Sequence, residues 1–438
     1  MVGANGTGTT LQAGDALIGG LGTDVLNISV SGAAANATTT TAVNAVTLTG
    51  IEKVAVNNFN TQTMTGGNNS VTIDASLFDS ALATLALSAS SSTANQGDTA
   101  FTNVKQIVAA EMSQGVGNLT IGYVGTAVAG SADAMGLTLT NQTGGTFTAD
   151  GIEILNVTSN VASNTVTLAG AQLKTVNVTG SANANLGTLA GTVTKVDASA
   201  FKGNLTATAG FAVDYNIAGG DGNDSVSIAV ANLTAADTIT GGNGTDTLTV
   251  DAAFTAANAA NVTGFEVLAS NANVTVDASI LSGVTALRAG STAAANALTF
   301  TNVGAAVTDI FVTGTEGVVA TLKTDTSADA IKVTYGTAAT ATAAGTGVTV
   351  DAAAGQTTLN NYETMTIVSQ GAANNTGAFS ATSLKSLTIT GDKALTLGSM
   401  NAGNTAISSI DASALTSSSA AFIMTDNNSA TASTITGG

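Results

Sequence analysis

The chain has 438 residues, 28 acidic against 10 basic side chains, a formal charge of −18, and no Cys, His, Pro or Trp. Without Cys there is no disulfide frame or thiol chemistry; without His the usual neutral-pH base and commonest metal ligand are missing, which excludes Ser-His-Asp, Cys-His and zinc sites. A single arginine, Arg288, and few lysines come close to excluding nucleic acid, whose phosphates need clustered cations, and the net negative charge would repel a polyanionic glycan on approach.

In chain order, the first elements are two tandem nonapeptides, a degenerate TLQAGDALI at 10–18 and GGLGTDVLN at 19–27. The second fits G-G-x-G-x-D-x-U-x, with U a large apolar residue. Its glycines permit tight turns that aim carbonyl oxygens inward. The aspartate at position six, Asp24, offers the hard carboxylate oxygen that Ca²⁺ prefers. Leu26 at position eight is predicted to point into a strand core, and Asp15 and Leu17 hold the same places in the degenerate copy. There follow GIEKVAV (Gly50, Glu52), SVTIDASLF (Asp74), FTNV at 101–104, SADAM at 131–135, GIEILNV (Gly151, Glu153), LKTVNVTG at 173–180 and VDASAF (Asp197). A second nonapeptide block comprises GGDGNDSVS at 219–227, NLTAADTIT at 232–240 and GGNGTDTLT at 241–249. Position six is Asp224, Asp237 and Asp246 in turn, and position eight Val226, Ile239 and Leu248. The loops beginning at 219 and 241 are offset by one coil of two nonapeptides plus the insertion 228–231, and are predicted to stack directly.

The same order then recurs as GFEVLAS (Gly264, Glu266), NVTVDASIL (Asp277), FTNV at 300–303, SADAI at 327–331, NYETMTIV (Glu363), LKSLTITG at 384–391 and IDASAL (Asp411). The terminal TITGG begins as a further nonapeptide would. The chain therefore divides into a first half, 1–218, and a second half, 219–438, each with two β-rich subrepeats. Its beginning at Met1 and end at Gly438 read as those of a piece of a longer protein, and no stretch has the regions of a signal peptide.

Most motifs lie on strand-like text, β-branched alternating with small or polar residues, and Gly, Asn, Asp and Ser mark the turns. Mean hydropathy is +0.35 with only 4% aromatic residues. That core of Ala and Val suits a narrow solenoid, and no apolar run approaches the roughly 18 residues of a membrane span. The expected fold is all-β, a repetitive β-solenoid of parallel β-helix or β-roll type with short calcium-binding coils and few short helices. An antiparallel sandwich stays open, because alternation does not fix pairing direction. The best helical text is 104–114, with 77–87 weaker.

The acids comprise 22 Asp and 6 Glu, and Glu52, Glu153, Glu266 and Glu363 share one motif at near-even spacing. Surface helices use Glu freely, so this Asp excess suggests loop and ligand carboxylates. The motif glutamates are expected to cap coils by accepting backbone N–H bonds rather than to bind calcium. The aspartates of the DAS strands are expected to form Asx-turns, and Asp133 and Asp329 to share one structural job. Nothing selects a catalytic pair among 28 acids, and Tyr123, Tyr215, Tyr335 and Tyr362 are dispersed, so no enzymatic activity is expected.

The nonapeptides, the GIE-type strands, the segment SLTITGDKALTLGSMNAGNTAISSIDASALT at 386–416 and the Cys-free, Thr/Ala/Gly-rich composition together resemble the calcium-dependent, RTX-type surface-layer proteins of Gram-negative bacteria. The resemblance covers essentially the whole chain. It implies that two nonapeptides make one coil with Ca²⁺ between stacked loops. Asp24, Asp224 and Asp246 would be ligands, with backbone oxygens around Gly20, Gly22, Gly220, Gly222, Gly242 and Gly244. The candidate metal set also takes in Asp221 and Asn243 in the loops, and Asp15 and Asp237 of the degenerate partners. It further implies type I secretion, folding outside the cell on meeting Ca²⁺, and self-assembly into a two-dimensional lattice on the cell surface. Anchoring to lipopolysaccharide would use a region absent from this chain. The rival expectations are a calcium-stiffened repeat adhesin and, from another class, a β-helical polysaccharide lyase or epimerase.

Overall fold

Val, Ile, Leu and Thr alternating with small polar residues give each short segment one apolar and one polar face, and a strand buries the apolar face only by stacking on like strands. A computed structural model describes residues 2–3, 11–32, 41–43, 45–60, 71–94, 96–290, 297–340, 343–350, 356–400, 403–416, 422–424 and 434–436. The protein is all-β, with about 15 turns of parallel β-solenoid and 2% helix. Among the described residues the helical pieces are 3₁₀ turns at Val230–Asn232 and Ala278–Ile280. Among the described residues no helix is long and apolar enough to cross a membrane. The chain forms two compact units, Met1–Val226 with Gly242–Gly244, and Ser227–Gly241 with Thr245–Gly438.

In the first unit, one parallel ladder runs through Val25–Gly32, Lys53–Asn60, Thr84–Ser90, Ala109–Gly115, Ala134–Ala149, Ile154–Asn160, Thr175–Gly180, Lys195–Asp197 and Asn216–Ala218. A second ladder faces it, with Val43, Ile73, Phe101, Ile121 and Ala149 in register one above the other. Early coils are long, and their register aligns Leu26, Val54, Leu85 and Ala110. Later coils shorten to nearly even steps, and Leu155, Val176, Val196 and Ile217 align. Coils are thus longer than two nonapeptides, because the turns between the two faces need residues of their own.

In the second unit, Leu248, Leu268, Leu287, Ile310, Val333, Ile367 and Ile389 form one register-matched apolar column. All seven are fully buried. The shortest step of this column runs from Leu268 to Leu287 and the longest from Val333 to Ile367.

The pairing is parallel, which removes the sandwich alternative. The helical expectations are corrected. Within 104–114 the chain forms the strand Ala109–Gly115, and 77–87 enters the strand Thr84–Ser90. Each is bonded on both sides by parallel neighbours. Two ladder partners per strand outweigh a helix propensity worth tenths of a kcal/mol per residue.

Candidate metal sites

Each motif glutamate does the same thing. The backbone N–H of Asp24 donates to Glu52 Oε2 at 2.6 Å, that of Asp133 to Glu153 at 2.9 Å, that of Asp246 to Glu266 at 2.8 Å and that of Asp329 to Glu363 at 2.9 Å. In return each aspartate carbonyl accepts two N–H bonds, from the glutamate and the residue after it. Two residues ahead of each glutamate the backbone is left-handed, at Gly50, Gly151, Gly264 and Asn361. The Glu motif is therefore a coil cap, as expected. Its partner is the aspartate one coil back, which joins the nonapeptide and SADA motifs into one recurring Asp–Glu step.

The aspartate side chains divide these steps into two kinds. Asp133 Oδ2 accepts from Gly130 N–H at 3.0 Å and Asp329 Oδ2 from Thr326 N–H at 2.6 Å, each three residues back. Asp15 and Asp237 of the degenerate nonapeptides do likewise, with Gln12 and Thr234 as donors at 2.7 Å. These four carboxylates brace their own turns. Asp24 differs: its Oδ2 is buried with no hydrogen-bond partner. It lies against Gly19, where an added Cβ would stand 2.8 Å from Oδ2 and collide with the Gly50 carbonyl oxygen. Gly241 makes the same cradle against Asp246, with Oδ2 2.6 Å from an added Cβ and the Gly264 carbonyl opposite. A carboxylate oxygen and a carbonyl oxygen converging on a glycine form the donor set that suits Ca²⁺. The residues at Asp24 and Asp246 thus fit a bound calcium ion.

The loop at 219 is built differently. Gly242 packs on the Gly220 carbonyl, Gly244 on the Gly222 carbonyl, and Asn243 N–H donates to Gly220 O at 2.8 Å, so the loops stack directly. Asn243 Nδ2 donates to Asp221 Oδ1 at 2.9 Å, and Asp221 also pairs with Lys202. Asp224 is buried, and its oxygens accept from Leu205 N–H and Gly220 N–H, both at 2.7 Å. Burial nonetheless pushes its pKa up, against those two bonds. Its carboxylate caps the turn, whereas the Asp24 carboxylate leaves an oxygen turned inward. Val226 and Leu248 at position eight enter the core, while Leu26 is half-buried.

The DAS aspartates form Asx-turns. Asp74, Asp197, Asp277 and Asp411 each accept from the serine N–H two residues on, at 2.9, 3.2, 2.9 and 2.9 Å. The FTNV motif, given no role by sequence, supplies the next-coil partner. Asn103 donates to Asp74 at 3.0 Å and Asn302 to Asp277 at 2.7 Å, both from left-handed backbone. Sequence reading also missed two equivalent buried asparagines. Asn164 Nδ2 binds Ser159 Oγ and the carbonyls of Asn160 and Ala162; Asn374 Nδ2 binds Ser369 Oγ and the carbonyls of Gln370 and Ala372. The matching Ser-x-x-x-x-Asn spacing was the available signal. A third omission is Asp325, which approaches Asp329 and Glu363, with one oxygen of each within 4.8 Å of the others.

Compared with known proteins, the chain matches no family model and no curated relative at a significant level. The β-solenoid fold is compatible with an RTX-type repeat protein.

Proposed function

We propose that this is a calcium-folded structural protein that works outside the cell and self-assembles into a surface lattice. The observation that carries the reading is the Asp24 cradle, a buried carboxylate oxygen held against a glycine and a facing carbonyl. Of the Asp–Glu steps, the one at Asp24 leaves that oxygen unsatisfied, whereas those at Asp133 and Asp329 satisfy it from their own turn. Carboxylates about 5 Å apart at an effective dielectric near 20 repel by about 3 kcal/mol per pair. A cation between loops reverses that local field and adds its binding free energy to folding. Extracellular calcium modules bind at about 10⁻⁴ to 10⁻³ M, so such a chain orders outside a cell and not in the cytosol. Repeated architecture and a net charge of −18 supply faces that calcium can bridge between neighbouring copies.

The test is a calcium titration with EGTA reversal, followed by circular dichroism and by negative-stain microscopy of the same samples. We expect β signal to rise with calcium and ordered sheets to form. Asp24→Asn/Asp246→Asn should move the midpoint to higher calcium. A chain equally folded in EGTA would overturn the calcium reading. A calcium-folded chain that stays as isolated rods at high concentration would overturn the lattice and favour an adhesin.

A further inference from the structure

One corner of the first unit carries a ridge that core packing does not require. Gln114, Asn141 and Val161 occupy successive rungs of its first ladder, since Gly115 pairs with Gln142 and Thr140 with Asn160. All three have left-handed backbone, with φ of 53, 55 and 71°. All three side chains are exposed, that of Val161 by 82%. Left-handed backbone is uncommon outside glycine, and for a β-branched residue it is a genuine outlier. Val161 is the central residue of a tight turn in which Ala162 N–H donates to Asn160 O at 3.0 Å. In the equivalent turn of the second half, Ala372 N–H donates to Gln370 O at 3.0 Å, and the central residue is Gly371 with φ 81°. A valine thus stands where glycine is at ease, and it turns its apolar side chain to solvent. Strain held in this way clusters at ligand clamps and binding surfaces.

A groove adjoins this ridge. One hollow of about 290 Å³ is lined by Phe59, Ala89, Ser92, Gln114 and Asn141 among others, and a second of about 400 Å³ shares Phe59 and Ser92. Phe59 is 51% exposed, and its ring offers an apolar face to a ligand. The Gln114 and Asn141 amides and the Ser92 hydroxyl are exposed and hydrogen-bonded to nothing among the described residues. An amide both donates and accepts, so it can bond a hydroxyl in either sense. Among the described residues no Lys, Arg, Asp or Glu lines either hollow. From the coil of Phe59 to that of Val161 the ladder takes four steps, roughly 19 Å along the solenoid axis. The surface is apolar at both ends and carries the two amides between.

We propose that this groove binds a neutral polysaccharide, with the chain lying along the solenoid axis. A sugar ring has an apolar C–H face, which packs on Phe59 or Val161, and a rim of hydroxyls, which the amides recognise. An apolar platform with a few placed polar groups is the general form of a small-ligand site. The uncharged lining and the net charge of −18 select against polyanionic chains. The groove includes no part of the nonapeptide loops, so its ligand is independent of the calcium reading.

Affinity electrophoresis of the full chain tests the groove, in native gels cast with dextran, with galactomannan or, as the charged control, with polygalacturonate. We expect a neutral polymer to retard the chain and polygalacturonate not to. Phe59→Ala should abolish the retardation, and Gln114→Ala/Asn141→Ala should raise the apparent Kd about tenfold. All three side chains are exposed, so these variants keep the native circular dichroism. Val161→Gly should weaken retardation without lowering the thermal midpoint, because glycine adopts positive φ freely. Mobility unchanged by both neutral polymers would overturn the site. So would retardation that Phe59→Ala and the amide pair leave intact, or retardation by polygalacturonate alone.

Discussion

An aspartate in this chain is defined by what its two oxygens touch. Asp74, Asp197 and Asp411 are held below the ordinary carboxylate range by hydrogen bonds, chiefly from Asn103, Ser199 and Ser413 respectively. At Asp277 burial opposes the shift, but bonds from Ser279 and Asn302 outweigh it. A depressed folded-state pKa means stability that is present above the unfolded value of 3.8 and is lost as pH falls through the folded value. Asp98 has the opposite sign: burial raises its pKa, so its charge becomes a cost as pH rises past 3.8. Asp74→Ala/Asp277→Ala should therefore lower the thermal midpoint at neutral pH and flatten its decline below about pH 4. An acid limb as steep as that of the parent chain would show that these turns do not carry it. The local Asx-turn was legible because D-A-S is a three-residue signal. Its Asn103 and Asn302 partners were not, because each lies a full coil further along the chain.

At the scale of the element, a strand contributes by filling its place in a column. Leu268 stands between Leu248 and Leu287, fully buried. Leu268→Ala should cost about 2–5 kcal/mol, because neighbouring coils are fixed by their own ladders and cannot collapse into the gap. Thr249→Ala, at an outward position of the strand Thr247–Val250, should stay within about 0.5 kcal/mol. Urea unfolding distinguishes the two, and equal midpoints would mean that the column is not what stabilises the unit. Period-2 alternation makes such strands readable, whereas 104–114 has helical text in a strand. Its run of Ala, Glu, Met and Gln favours helix intrinsically, and only the ladders on either side impose the strand.

At the scale of the whole molecule, charge and repetition act together. A net charge of −18 opposes compaction generally, and any salt screens that part, with a Debye length of about 4–5 Å near 0.5 M. The proposed calcium coordination in the Asp24 cradle is different, since it would need an ion of the right size and valence. After EGTA treatment, about 0.5 M NaCl should therefore fail to restore the β signal that millimolar calcium restores. Full recovery in NaCl would reduce the calcium effect to screening.

The amino-acid sequence determined the strand periodicity, the all-β class, the motif order and the candidate loops, because alternation, glycine turns and Asx-turns act over a few residues. Only the tertiary structure decided the parallel pairing and the length of each coil, short from Leu268 to Leu287 and long from Val333 to Ile367. It also joined each motif glutamate to an aspartate one coil back, left Asp24 Oδ2 buried without a donor, and brought Asp325 to Asp329 and Glu363. Those outcomes depend on which residues share a register after the chain has gone once around, and coils of unequal length hide that register from any fixed sequence spacing.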